Sequence, residues 1–124
     1  MLAAGEDFVA GKNWFPVEPP QPTVTGDKIE VREVFGYVCP ACNMFQPTMR
    51  KLKEALPANA ELVYLPASFR PEEDWPVFQR AFFAAQALGI VDKSHNATFD
   101  AVWKPDGTLH IDEPTTHQPI KPMP

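Results

Sequence analysis

The chain has 124 residues, 44% hydrophobic and 22% charged, the proportions of one globular domain rather than a disordered tail. Its formal charge of −5 argues against a nucleic-acid grip, which needs clustered Lys and Arg. The longest apolar stretch, Ala81 to Val91, is broken by Gln86 and falls short of the about 20 residues a bilayer-spanning helix needs.

The first ten residues lack an apolar core after a basic start, so no signal peptide is read there. Prolines gather at Pro16 to Pro22 and Pro105 to Pro124, so both ends read as irregular or extended. A weak strand is expected near Phe15 to Val17. From Ile29 to Tyr37 the pattern is strand-like, with Ile29, Val31, Phe35 and Tyr37 on one face at period two. Glu33 falls on that same apolar face. Val34 on the other face suggests that both sides of the strand are partly covered, as in a sheet flanked by helices.

A helix fits Pro40 to Leu56, with Phe45, Met49, Leu52 and Leu56 as its apolar stripe. Pro40 suits a first helical position, Pro47 should kink the helix, and Pro57 ends it. The basic cluster Arg50, Lys51 and Lys53 reads as its solvated face. Glu61 to Leu65 reads as a second strand, so strand, helix and strand suggest a right-handed parallel unit. A second helix fits Pro76 to Leu88, with Trp75, Phe78, Phe82, Ala85 and Leu88 inward and Gly89 as its C-terminal cap. Asp92 is expected to cap a third helix running to Trp103, with Phe99, Val102 and Trp103 inward. His95 reads as a surface residue of that helix. Asp106-Gly107 marks a turn, and a brief strand is expected at Thr108 to Ile111.

The chemistry lies in Cys39-Pro40-Ala41-Cys42, which holds the two cysteines of the chain. So short a loop gains almost no stability from a disulfide, so the pair serves chemistry or metal binding. At a helix start, Cys39 would sit where unpaired amides and the helix dipole favour a thiolate, the nucleophilic form. Cys42, one turn inside, is suited to resolve a mixed disulfide. Pro40 restricts the backbone between them. The competing reading is half a zinc site, but zinc usually takes four ligands. There is no second cysteine pair, and His95, His110 and His117 are dispersed. No metal or cofactor is therefore expected. Glu33, six residues before Cys39, is a candidate proton relay for the thiols, against the plainer reading of a strand-edge carboxylate. Tyr37 suits either a substrate groove or the core.

A cysteine pair that follows an apolar strand and opens a proline-kinked helix resembles the thioredoxin superfamily. Within it, the run from Glu33 to Phe45 looks like the active-site segment of the DsbA family of periplasmic disulfide oxidases. Ala81 to Lys93 looks like the start of that family's inserted helical domain, and Gly11-Lys12-Asn13-Trp14 also has a family look. The resemblance implies an α/β thioredoxin-like fold with an inserted helical domain, present here only as its N-terminal portion. It divides the chain into residues 1–69, carrying the motif, and 70–124, the beginning of the insertion. It also implies a periplasmic enzyme that donates a Cys39–Cys42 disulfide to reduced, unfolded exported proteins, with Glu33 as the acidic residue beneath the thiols. A quinone-linked membrane oxidase would re-oxidise it.

Two departures qualify this. Ala41 stands where strong oxidases of the family often have histidine, which leaves thiolate stabilisation to the helix terminus and local hydrogen bonds. The chain also stops at Pro124, before the family's remaining strands and its cis-proline loop, so truncation is expected, with dimerisation or strand exchange a consequence. The alternatives are a dithiol reductase or isomerase of the same fold, or a metal-binding or chaperone-like module.

Overall fold

The computed structural model describes residues 7–109. Its elements run β1 (Ile29–Phe35), α1 (Pro40–Ala55), β2 (Ala60–Pro66), α2 (Trp75–Ala87) and α3 (Val91–Trp103). β1 and β2 pair in parallel, from Ile29 opposite Ala60 to Phe35 opposite Pro66, with α1 as the crossover between them. This is the strand–helix–strand unit expected from the sequence.

The core gathers at the C-terminal end of β1. Phe35, Tyr37, Phe78, Phe82, Phe99 and Val102 are buried there, drawn from the strand, the turn that follows it and both later helices. The aromatic rings meet edge-on, Phe35 with Tyr37 at 5.0 Å and with Phe82 at 5.5 Å between centroids, a geometry favoured by their quadrupoles. On the other face of β1, Val34 is half exposed, so among the described residues that face is only partly covered.

α2 and α3 form a tight hairpin. Leu88 ends α2, and Gly89 follows with φ 68°, a left-handed conformation that costs glycine little. The Gly89 amide donates to Gln86 O and the Ile90 amide to Ala85 O, which satisfies the last carbonyls of the helix. Trp75, Phe78, Phe82 and Ala85 face inward as expected, but Leu88 is exposed. As the capping residue it already turns away from the stripe.

Other expectations need correction. Phe15 to Val17 form no strand; the only pairing there is an isolated bridge between Ala10 and Trp14, and Phe15 and Val17 are exposed. Asp92 does not cap α3. Ile90 holds the capping position, and Asp92 lies in the first turn, where its charge still complements the helix dipole and pairs with Lys53 at 3.2 Å. Thr108 and Leu109 lie in a turn, while His110 and Ile111 fall outside the described residues. The Asp106-Gly107 turn is present, and Gly107 is buried so close to the Ala101 carbonyl that no side chain would fit. Among the described residues no helix is long and apolar enough to cross a membrane.

Candidate active site

β1 delivers the chain to the thiols through a short turn. Tyr37 and Val38 are its central residues, and the Cys39 amide closes it on Gly36 O at 3.1 Å. Glycine at position 36 is a packing requirement, because a β-carbon there would run into the Trp75 ring. Cys39 then caps α1 with extended backbone (φ −90°, ψ 118°), and its carbonyl accepts the first helical bond from the Asn43 amide at 3.0 Å. Pro40 fills the first helical position, where its missing N–H costs nothing.

The two sulfurs occupy different settings. Cys39 Sγ accepts the Cys42 amide at 3.4 Å, one of the otherwise unpaired donors of the helix start. Cys42 lies against the hydrophobic core. Burial pushes its thiol up to about 11, helped by Cys39 and by the charge of Glu33, and opposed by a hydrogen bond from the Gly36 backbone. Both cysteines are free thiols, each partly exposed. Ala41 is exposed and adds no charge. Among the described residues, no three His, Cys, Asp or Glu side chains gather as a metal site.

Glu33 is half-buried, and its carboxyl sits above the ordinary range because burial disfavours its charge. Gln46 Nε2 donates to Glu33 Oε1 at 3.4 Å and to the Cys42 carbonyl at 3.3 Å. Glu33 Oε2 is buried without a protein partner. The structure thus brings Cys39, Cys42 and Glu33 together. It adds Gln46, which the sequence reading missed. Of the apolar stripe expected for α1, Met49 is buried, but Leu52 is exposed and Phe45 gives up its inward place to Gln46. Gln46 and Met49 are buried, whereas Phe45 is 50% exposed. The signal available was that residues 42, 46 and 49 share a face at helical spacing.

Behind the turn, α3 contributes a second group that the sequence hid. His95 is buried, with only 4% of its surface exposed, rather than a surface residue. Its Nδ1 shares a 3.1 Å hydrogen bond with the Tyr37 hydroxyl, and its ring stacks on Tyr64 at 4.2 Å. Phe35 and Phe99 meet it edge-on. Burial, with the nearby Lys53 charge, lowers its imidazole to about 4. Trp103 Nε1 donates to the Tyr37 carbonyl at 2.7 Å. Tyr37 therefore belongs to the core and not to a substrate groove.

A dithiol whose first sulfur caps a helix, reached from a parallel strand and backed by a half-buried carboxylate, defines a protein of the thioredoxin-like class. Comparison with known proteins narrows the class. The chain is 38% identical over 104 residues to the thiol:disulfide interchange protein DsbA of Pseudomonas aeruginosa, a match that covers 84% of this chain and 48% of that protein. It is 34% identical over 101 residues to DsbA of Pseudomonas syringae, covering 82% of this chain and 46% of the relative. A crystal structure of a Pseudomonas aeruginosa DsbA variant superposes with a TM-score of 0.71 at 39% identity, over 79% of this chain and 52% of that one. No family model matches the chain. The chain is homologous to DsbA proteins over most of its own length, and it spans about half the length of the curated relatives it matches.

Proposed function

We propose that this chain carries the redox centre of a protein thiol–disulfide oxidoreductase that donates a Cys39–Cys42 disulfide to exported proteins in the periplasm. The observation that carries the reading is Cys39 Sγ at the head of α1, accepting the Cys42 amide, with Cys42 itself set back into the core. Kinship with DsbA proteins supports it.

In the donating direction, a substrate thiolate attacks the sulfur of Cys39. The Cys39–Cys42 bond breaks, a mixed disulfide with Cys39 forms, and Cys42 leaves as a thiolate that takes up a proton. A second substrate thiolate then attacks the substrate sulfur of the mixed disulfide. The substrate gains its disulfide, Cys39 leaves as a thiolate, and two electrons have passed to the enzyme. Cys39 is the better leaving group because the helix start holds its negative charge. Glu33 hands Cys42 its proton, with Gln46 orienting the carboxyl; Oε2, which has no protein partner, is the oxygen that carries it. No cofactor enters these steps. The partners are reduced, unfolded polypeptides and, for re-oxidation, a membrane oxidase linked to quinones.

The test is equilibration of the chain with glutathione buffers, followed by single-turnover oxidation of a reduced dithiol peptide. The oxidase reading expects the disulfide form to oxidise the peptide stoichiometrically. A reduction potential as low as that of thioredoxins would overturn it in favour of a reductase.

A further inference from the structure

One residue ties the thiol-bearing turn to the helical hairpin. Tyr37, two positions before Cys39, is 2% exposed and is held at both ends by α3. Its carbonyl takes the Trp103 indole N–H at 2.7 Å, and its hydroxyl meets His95 Nδ1 at 3.1 Å. Thr98, also on α3, reaches the same hydroxyl while donating its own proton to Ser94 O at 2.8 Å. Three residues of one helix thus converge on a single side chain and its peptide.

We propose that His95 and Trp103 are positioning residues for the Cys39–Cys42 pair, acting through Tyr37. Gly36, Tyr37, Val38 and Cys39 form one turn, closed by the Cys39 amide on Gly36 O. Fixing the Tyr37 peptide fixes the plane in which that turn closes, and so the direction from which Cys39 enters the cap of α1. Gly36 lies on the other side of the same turn, where its backbone reaches Cys42. Both sulfurs are thereby set by one peptide unit that the hairpin holds in place. Apolar packing alone would not need this polar clamp. His95 Nε2 is left without a partner among the aromatic rings, a cost accepted where Nδ1 is committed to Tyr37.

The inference rests on the oxidoreductase reading for its consequence but not for its structural content, and the test separates the two. In the full chain, Trp103→Phe removes the indole N–H and His95→Phe removes Nδ1, each with the aromatic packing largely kept. Tyr37→Phe removes the hydroxyl alone. Val102→Ala, a buried core neighbour of Trp103 with no polar tie to Tyr37, is the comparison for stability. The expected result is a shift of the glutathione equilibrium toward the disulfide form in Trp103→Phe and His95→Phe, by roughly 3- to 10-fold for the loss of one hydrogen bond. Val102→Ala should leave that equilibrium unmoved. Tyr37→Phe should reproduce His95→Phe, and the two should not add. Hydrogen exchange of the Cys39 amide reads the turn directly and should quicken in Trp103→Phe but not in Val102→Ala. Equal equilibria and equal Cys39 amide protection in all four variants would overturn the clamp and leave His95 and Trp103 as packing residues. A parent chain inert toward glutathione would sink the oxidoreductase reading, while the amide data would still decide the clamp.

Discussion

Acid should destabilise this protein through His95. The imidazole is enclosed by Tyr37, Tyr64, Phe35 and Phe99, and it titrates near 4, against about 6.5 in an unfolded chain. Between those values the unfolded chain binds a proton that the folded one refuses, so stability falls as pH falls through this window. The loss accumulates to about 3 kcal/mol at pH 4, a large share of the stability of a small domain. Lys53 of α1 adds to the penalty, and Asp92, its ion-pair partner, holds that charge near the ring. Both tyrosines stay neutral throughout, since burial raises them. Urea denaturation at half-unit steps from pH 7.5 to 4, followed by tryptophan fluorescence, gives the profile for the parent and for His95→Phe. The variant starts lower at neutral pH, having lost the Tyr37 hydrogen bond, and then stays flat through the window relative to the parent. Parallel profiles, or an imidazole NMR midpoint near 6.5, would refute the argument.

Glu33→Gln should act in the opposite sense. Because burial raises the Glu33 carboxyl above 4.5, the unfolded chain loses its proton first and stability declines as pH rises past that point. The variant should therefore be more stable than the parent at pH 7 by denaturant titration, and its thiol exchange should slow or change its pH dependence. Exchange kinetics identical to the parent between pH 5 and 8 would remove Glu33 from the proton path. Gln46→Leu deletes the donor to Glu33 and should drive that carboxyl higher still, visible as an upward-shifted 13C titration of Glu33, at a stability cost of about 1 kcal/mol. Gly36→Ala forces a β-carbon against Trp75 and should cost about 1–3 kcal/mol in thermal or denaturant unfolding, whereas an unchanged midpoint would mean the ring moves freely aside.

The strand, the cysteine pair at the helix start and the second strand were legible because each is a local pattern. The rest of the site depends on contacts between distant segments. Phe45 and Gln46 are neighbours on α1, and hydrophobicity alone assigns the wrong one to the interior. The carboxyl of Glu33, thirteen residues earlier on β1, and the Cys42 carbonyl one turn back together make a buried glutamine favourable. His95 misled for the same reason. It occupies the inward stripe with Phe99 and Val102, but a polar side chain on such a stripe reads as exposed until its partner is known. Tyr37 is that partner, 58 residues away in the chain. Asp92 failed as a cap because the Gly89 turn starts α3 two residues sooner than a cap at Asp92 would.

The hold of α3 on Tyr37 also bears on modularity. A helical insertion is often pictured as cargo that can be exchanged between scaffolds at its two ends. Here the transplantable unit is discontinuous, since moving residues 75–103 into another dithiol scaffold would strand His95 and Trp103 without the tyrosine they grip. A working chimera would have to carry position 37 along with the hairpin, so the cut would have to fall on the strand side of Tyr37.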